Sequence, residues 1–464
     1  MSWLPDIHFE ISERKVLLRI MDILFIFSFL IIISEWYNFH YFIIDKEHYT
    51  WALVLALYYS LFATIFEMYD LKKASSFQAT IKNATLAVSS TTLFYILTPF
   101  LTPVLPDNRL QILSFYLAIL GGVIIWRYAY FSFITSPRFF KKVLVVGDSF
   151  DINRIVANLH HADPNYRVVG FTNTDNDGVL EAQEELISVN IDDLQNFIKG
   201  EGISEIVVAS SYAEGVSIPL YSQLIKLLEH GFSIREYTQV YEEITQRVPV
   251  EYVEKDFYKF FPFNRSNRNR FYLFFNRFFD ILFAFFCAFF TLAVLPIIVL
   301  GNAIGNKGSL FYLQERIGQN GVTFKIVKFR TMQPDPFKEE KQYSDRAERK
   351  ITWFGNVLRR TRFDELPQCF NILKGDMSLI GPRPERPLIA KELAAIIPFY
   401  ETRHVVKPGL TGWAQVMMSR YGTAYDDALI KLQYDLYYIK RRTLFLDIDI
   451  LIKTISTVIY FRGQ

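Results

Sequence analysis

Four long apolar stretches fill the first third of the chain, with polar or charged residues between them. They cover residues 16–33, 51–69, 81–101 and 110–134. Each approaches the roughly 20 residues that a helix needs to cross a hydrocarbon core. The third stretch is the most polar, since it contains the run NATLAVSSTT, and its Ser and Thr side chains can hydrogen-bond to neighbouring helices. The pattern predicts a membrane α-helical bundle of four spans over residues 1–140.

Basic residues mark one side of this predicted bundle. The two loops that would lie on the opposite side are poor in Lys and Arg. Because cytoplasmic loops carry an excess of these residues, both ends of the bundle are predicted to face the cytoplasm. The basic residues on that side are Arg14, Lys15, Lys72, Lys73, Lys82, Arg138, Lys141 and Lys142.

Residues 141–262 alternate short β-branched runs, such as KKVLVVG and EIVVA, with helical patterns. Such alternation is typical of a parallel α/β sheet and predicts a Rossmann-like domain. The dinucleotide fingerprint needs three glycines, but GDSFDI keeps only the first, Gly147. We therefore interpret this domain as a scaffold or an oligomerisation module of a homodimer. A ligand pocket in it stays an open alternative.

Composition narrows the function classes. The chain is 51% hydrophobic and carries a formal net charge of only +2. So small a charge does not produce an overall positive potential that would attract nucleic acid. Its two cysteines, Cys287 and Cys369, are far apart in sequence and form no CxxC pair. They predict neither a disulfide framework nor a zinc site.

Candidate catalytic residues cluster in residues 358–385, which read LRRTRFDELPQCFNILKGDMSLIGPRPE. Asp364 and Glu365, the acidic pair, could cap a helix that Gly375 ends. Capping does not account for the surrounding cations, which could form a cradle for phosphates because Arg makes bidentate phosphate contacts. Mg²⁺ binds through one or two carboxylates plus substrate phosphates, which suits this pair. The candidate phosphate-binding cations are Arg316, Lys325, Lys328, Arg330, Arg360 and Arg383.

Several motifs in order resemble the bacterial sugar transferase family, specifically its monotopic polyprenyl-phosphate glycosyl-1-phosphate transferases. They are KFRTM, RRTRFDELPQCFNILKGDMSLIGPRPE, KPGLTGWAQV and QYDLYYI. The preceding bundle and α/β region are similar to long members of that family, and residues 263–464 would form the α-rich catalytic domain. Arg362 and Phe363 depart from the family pattern, in which small or aliphatic residues such as Ser and Leu are common at these positions.

The resemblance implies a reaction. A cytoplasmic UDP-sugar, with glucose or galactose as the expected sugar, would give its sugar-1-phosphate to undecaprenyl phosphate and release UMP. Asp364 would be the nucleophile and form a covalent phosphosugar intermediate, while Glu365 would hold Mg²⁺. Arg383 and Asp435 are further active-site candidates by motif position. The enzyme would act at the bacterial inner membrane, in the first membrane step of exopolysaccharide, O-antigen or capsule synthesis.

An alternative is a membrane-anchored, NAD-dependent UDP-sugar dehydratase or epimerase. Such enzymes also join a four-span bundle to a Rossmann domain. The incomplete glycine motif and the lack of a Tyr-x-x-x-Lys pair in residues 141–262 argue against it.

A further apolar run, residues 278–300, is long enough to span a bilayer. After four upstream spans, a fifth would place the acidic pair outside, away from cytoplasmic UDP-sugars. Pro296 removes a backbone donor and can break the helix, and Arg277 and Lys307 can both reach one headgroup layer. The run is therefore predicted to be a re-entrant helix-break-helix, as the resemblance also implies.

The C-terminal run LFLDIDILIKTISTVIYF is interrupted by Asp447, Asp449 and Lys453. Because charge inside hydrocarbon is unfavourable, an interfacial amphipathic helix is predicted instead of a span. Trp413 could anchor the chain at headgroup level or lie in the protein core.

Overall fold

The structure, a computed structural model, is mostly helical and contains a parallel sheet. It divides into two compact units, residues 1–246 and 247–464. The predicted domain boundaries at 140 and 262 stay predictions, and residue 262 lies outside the described residues. Those are 11–36, 39, 41–43, 48–133, 140–147, 152–163, 165–173, 186–209, 218–250, 269–306, 308–332, 351–418 and 424–460.

The first unit starts with apolar helices. Among the described residues, Ser12–Glu35 and Leu110–Phe133 are long and apolar enough to cross a membrane, and Tyr49–Ile65 is a shorter apolar helix. Ser89, in the more polar fourth helix, lies 3.2 Å from the hydroxyl of Tyr116 in the fifth. The four-span topology stays a prediction. The helices are α1 (Ile11–Trp36), α2 (Tyr49–Ile65), α3 (Leu71–Ala74), α4 (Phe77–Leu97) and α5 (Leu110–Phe133).

A buried ion pair joins the helices of this bundle. Arg127 of α5 donates from Nε and Nη2 to the carboxylate of Asp22 in α1, at 2.9 and 2.6 Å. Tyr59 of α2 donates to the same carboxylate at 2.9 Å, and Arg127 Nη1 donates to the Met68 carbonyl at 2.8 Å. Because a charge without a partner is very unfavourable at membrane depth, this network fixes α1, α2 and α5 against one another.

The predicted α/β sheet is present in the same unit. All its strands are parallel and their order is β3-β2-β1-β4-β5, the order of dinucleotide-binding folds up to its fifth strand. At Gly147, which ends β1, an added Cβ would lie 2.6 Å from the Ala209 carbonyl oxygen of β4. This glycine is therefore explained by strand packing. The strands and helices are β1 (Lys141–Gly147), α6 (Ile152–Ala162), β2 (Tyr166–Asn173), β3 (Ile187–Ser188), α7 (Leu194–Glu201), β4 (Glu205–Ala209), α8 (Ile218–Glu229), β5 (Ser233–Glu236) and α9 (Tyr237–Thr245).

The second unit combines a 36-residue apolar helix, α10 (Arg270–Gly305), with an α-rich body. The body contains an antiparallel hairpin, β6–β7, and a short parallel pair, β8–β9. Its elements are β6 (Phe311–Ile317), β7 (Thr323–Phe329), α11 (Trp353–Arg360), α12 (Gln368–Lys374), β8 (Ser378–Ile380), α13 (Pro387–Ile396), β9 (Gly409–Thr411), α14 (Trp413–Met417), α15 (Ala424–Arg441) and α16 (Leu444–Ile459).

One face of α10 packs on this body along its whole length, while the other exposes many Phe side chains. At its start, the Tyr272 hydroxyl donates to Asp447 of α16 at 2.6 Å. At its end, the Asn306 amide donates to the Arg330 carbonyl at 2.6 Å. Pro296 lies inside a helix that continues through it, so the predicted break is not an interruption of the helix. Lys307 lies outside the described residues.

The body has its own apolar core. Trp413 is only 1% exposed and stacks on Tyr437, so it belongs to this core and is not a membrane anchor. Along α16, Asp447 is buried, whereas Phe445 and Ile448 are exposed. The buried Asp447 contacts the hydroxyls of Tyr272 and Tyr438, and the interfacial placement predicted for this helix stays a prediction.

Candidate active site

The acidic pair lies on a single 3-10 turn, Phe363–Glu365, between α11 and α12. Arg362, just before it, has a left-handed backbone with φ of 56°, which is uncommon for a residue other than glycine. Gly375 ends α12 in the left-handed conformation, as predicted. No side chain caps the start of α12, so capping does not explain the acidic pair.

Cations hold Glu365 tightly. Its Oε1 accepts hydrogen bonds from Lys328 Nζ at 2.8 Å and from Arg383 Nη2 at 2.7 Å. Arg362 Nη1 lies 3.8 Å from Oε2. Burial alone would raise the pKa of Glu365, but the charges and hydrogen bonds of Arg383 and Lys328 outweigh it and hold the pKa well below its usual value. Glu365 is therefore a fixed anion.

Asp364 has a different environment. Within the described part of the chain, no group donates a hydrogen bond to its carboxylate. Burial first, and the neighbouring charge of Glu365 second, raise its pKa to about 6, although Lys328, Arg359 and Arg383 act in the opposite direction. Near neutral pH it is mostly ionised, and its oxygens accept no hydrogen bond from the described residues, which suits a nucleophile.

The donor chemistry of the pair fits Mg²⁺. Both side chains offer carboxylate oxygens, the ligands that this ion prefers. The described residues contain no group of three His, Cys, Asp or Glu that could hold a metal. A Mg²⁺ held by Glu365 would therefore take its other ligands from substrate phosphates and water, which is its usual mode beside nucleotides.

The structure brings together only some of the predicted phosphate-binding cations. Lys328 and Arg383 both contact Glu365. Arg360 is exposed at the end of α11, and Arg330 donates to Ser309 from Nε and Nη2 at 3.1 and 2.6 Å. Lys325 lines a separate cavity of about 420 Å³, together with Glu315, Phe370 and Lys374 among others.

Two further predicted residues lie beside the loop of residues 381–385, which we call the arginine loop because it carries Arg383. Arg316 Nη1 donates to the Pro384 carbonyl at 3.0 Å. Asp435 is buried and pairs with Arg403 at 2.7 Å, instead of pointing at the acidic pair. Sequence reasoning missed Arg403, because a lone arginine in RHVVKPG gives no signal of burial.

The long apolar helix reaches the acidic turn. The ring of Phe290 in α10 meets the ring of Phe363 edge-on, with centroids 5.6 Å apart. Cys287 Sγ lies 3.7 Å from the Leu366 carbonyl oxygen. The acidic pair is therefore next to α10, a helix that exposes many apolar side chains.

Comparison with known proteins places the chain among related sequences. Residues 271–461 match the model of the family described as bacterial sugar transferase. An Aeromonas hydrophila UDP-N-acetylgalactosamine-undecaprenyl-phosphate N-acetylgalactosaminephosphotransferase is 39% identical over 225 residues, 48% of this chain and 51% of that protein. A Klebsiella pneumoniae UDP-glucose:undecaprenyl-phosphate glucose-1-phosphate transferase is 27% identical over 464 residues, 96% of this chain and 95% of the relative.

Coverage differs among the relatives. In several curated relatives the matched stretch spans only about a third to a half of the protein's length, from 33% to 51%. In a Bacillus subtilis putative undecaprenyl-phosphate N-acetylgalactosaminyl 1-phosphate transferase it spans 79% of that protein and 30% of this chain, at 38% identity. The chain belongs to the bacterial sugar transferase family.

Proposed function

We propose that this protein transfers a sugar-1-phosphate from a UDP-sugar to undecaprenyl phosphate. The observation that carries the proposal is the contrast within the acidic pair. Glu365 is fixed by Lys328 and Arg383, whereas the neighbouring Asp364 carboxylate accepts no hydrogen bond from a described residue. Family membership and the names of the relatives, which are undecaprenyl-phosphate sugar phosphotransferases, support the same reaction.

In the first step, an Asp364 carboxylate oxygen attacks the phosphorus that carries the sugar. The bond from that phosphorus to the bridging oxygen breaks, and the oxygen leaves with UMP. The product on the enzyme is an acyl phosphate that bears the sugar. The covalent step divides one transfer into two displacements at the same phosphorus, and each displacement has its own leaving group.

In the second step, an oxygen of undecaprenyl phosphate attacks the same phosphorus. The acyl phosphate bond breaks, the Asp364 carboxylate is restored, and the product is undecaprenyl diphosphate-sugar. Lys328 and Arg383 are fixed before the reaction and stabilise negative charge on the transferring group, because they need not reorganise. Mg²⁺, held by Glu365, would supply further charge neutralisation on the phosphates.

The contacts of α10 support a placement in which both of its ends stay on one side of the membrane. A straight helix of 36 residues would be about 54 Å long, yet both of its ends contact the same polar body. A true span would carry one end across the bilayer, away from that body. Together with the four predicted upstream spans, this proposed placement would keep the active site on the cytoplasmic side of the inner membrane, where UDP-sugars are available.

Release of UMP tests the reaction. Purified protein in nanodiscs, with Mg²⁺ and no lipid acceptor, should release up to one equivalent of UMP and retain labelled phosphosugar. When undecaprenyl phosphate is then added, UMP release should continue beyond one equivalent, because the acceptor regenerates the free enzyme. Turnover with acceptor, but with no UMP release or protein labelling in its absence, would contradict the covalent intermediate.

The sugar requires a separate panel. We proposed glucose or galactose from the resemblance, and the relatives' names add N-acetylgalactosamine. The three UDP-sugars, each radiolabelled in the sugar, should be compared at equal concentration. The donor with the highest kcat/KM identifies the substrate.

A further inference from the structure

The arginine loop is held by its own carbonyl groups. Gly381 N donates to the Thr411 carbonyl at 2.9 Å, but the two prolines, Pro382 and Pro384, have no N–H to donate, so the rest of the loop is held mainly through its carbonyl oxygens. The Pro382 carbonyl accepts from Gly409 N at 2.9 Å, and the Glu385 carbonyl accepts from Ile317 N at 3.0 Å. The two carbonyls between them, those of Arg383 and Pro384, accept from arginine side chains.

Arg403 holds the first of these two carbonyls. Its Nη2 donates to the Arg383 carbonyl at 3.1 Å and to Asp435 Oδ2 at 2.7 Å, while Nη1 donates to the Tyr400 hydroxyl at 2.7 Å. The side chains of Arg403 and Asp435 are 4% and 2% exposed. A buried ion pair of this kind is a fixed support, since separating its charges is strongly unfavourable.

Arg316 holds the second carbonyl from the other side of the loop. It lies in β6, donates to the Pro384 carbonyl, and is oriented by Gln314 at 2.8 Å. Its carboxylate neighbour Glu385 is 3.9 Å away. Two arginines from separate elements therefore grip adjacent peptide groups, and the Arg383 side chain between them reaches Glu365.

We propose that Arg403, supported by Asp435, and Arg316 are positioning residues that hold Arg383 against Glu365, and that none of the three contacts a substrate phosphate. This inference rests on the proposed function. It gives Asp435 and Arg316 a different task from the phosphate or active-site contact that the sequence predicts. A displacement of about 1 Å of a group that orients a phosphoryl transfer can lower the rate by about 100-fold.

The test is a double-mutant cycle on the full chain in nanodiscs. Arg403→Lys keeps a charge for Asp435 but cannot grip the carboxylate and the carbonyl with one planar fork. Its single-turnover rate of UMP release should fall by about 10- to 100-fold, with KM for the UDP-sugar within about threefold of wild type. When Arg383→Ala is already present, Arg403→Lys should lower the remaining rate by less than about twofold, because the group that it positions is gone.

Arg442→Lys is the matched control. Arg442 is also buried in this unit, but it donates to Tyr272 and not to the loop. Hydrogen exchange of the peptide that contains residues 381–386 should accelerate in Arg403→Lys. It should also accelerate in Arg316→Gln, which changes a less buried arginine. In Arg442→Lys it should stay unchanged. These two readouts separate positioning of the loop from a general loss of stability.

Either of two results would overturn the proposal. One is a rate loss in Arg403→Lys that is equal with and without Arg383. The other is a hydrogen-exchange rate of the arginine loop that stays at the wild-type value in both Arg403→Lys and Arg316→Gln. The proposed function fails in a different way, because wild-type protein would then release no UMP from any UDP-sugar.

Discussion

Adjacent side chains in the acidic pair have opposite environments. Asp364 accepts no hydrogen bond from a described residue, so Asp364→Asn breaks none of these contacts. The melting temperature of the variant should therefore stay within about 2 °C of wild type. The amide cannot form the acyl phosphate, so UMP release should fall by at least about 1,000-fold. Mass spectrometry should find no phosphosugar on the variant. Near wild-type turnover would remove the nucleophile assignment.

Glu365 is predicted to act through its charge. Glu365→Gln leaves Lys328 and Arg383 without their shared anion and removes a carboxylate suited to Mg²⁺. We expect at least a 100-fold loss of turnover, because Glu365 fixes the two cations that stabilise negative charge on the transferring phosphoryl group. A Mg²⁺ titration should shift to a higher half-saturating concentration in the variant. Identical titrations would show that Glu365 does not hold the metal.

Two lysines on β7 provide a matched comparison. Lys328 contacts Glu365 at 2.8 Å, whereas Lys325 lines the cavity on another side of the hairpin. Lys328→Met should lower turnover by about 100-fold or more, because removing one fixed hydrogen-bond donor to a charged transition state typically lowers kcat by this factor. Lys325→Met should stay within about threefold. Equal losses would mean that both lysines serve the reaction.

The same strand shows where sequence reasoning at residue level reached its limit. Strict alternation would put Lys328 and Arg330 on one face of a strand, but Val327 and Lys328 are both half-buried, so the period of two fails near the strand end. Arg330 lies just after β7 and turns to Ser309. The acidic pair was found because its residue types and spacing are visible in the sequence, whereas the grip of Arg403 depends on a contact with Asp435, 32 positions away.

At the scale of elements, apolar length and β-branched alternation predicted most of the architecture. The parallel sheet, its strands and the long apolar helix α10 all occur where the pattern indicates. The path of α10 is harder to predict, because composition is the same for a span and for a helix packed along one body. Only the contacts of Tyr272 and Asn306 with that body distinguish the two.

Those contacts predict that both ends of α10 face the cytoplasm. Cysteines introduced at Arg270 and Gly308, in a background with Cys287 and Cys369 changed to Ala, should resist a membrane-impermeant maleimide in spheroplasts. Both should react after the membrane is permeabilised. Val104, exposed between α4 and α5, is the control position and should be labelled from outside. Labelling of position 308 in intact spheroplasts would establish a true span.

At the scale of the whole molecule, the second unit should carry the reaction alone. It has its own core and contains every residue of the proposed site. We expect fragment 247–464 in nanodiscs to keep single-turnover UMP release within about tenfold of the full chain, since no residue of the acidic turn is lost. An intact, folded fragment without activity would show that the first unit does more than act as a scaffold.

The start of this fragment matters, because the match to the family begins only at residue 271. Val248 and Val250 are 2% and 1% exposed in the second core, and Val248 N donates to the Gln433 carbonyl at 3.1 Å. Burying a valine contributes roughly 1.5 kcal/mol or more, so fragment 270–464 should be less stable than 247–464 by about 3 kcal/mol. For about 200 residues, that corresponds to a melting temperature lower by roughly 6–12 °C. Val248→Ala with Val250→Ala in fragment 247–464 should reproduce part of the loss. Equal melting temperatures for both fragments would show that residues 247–250 are dispensable to the core.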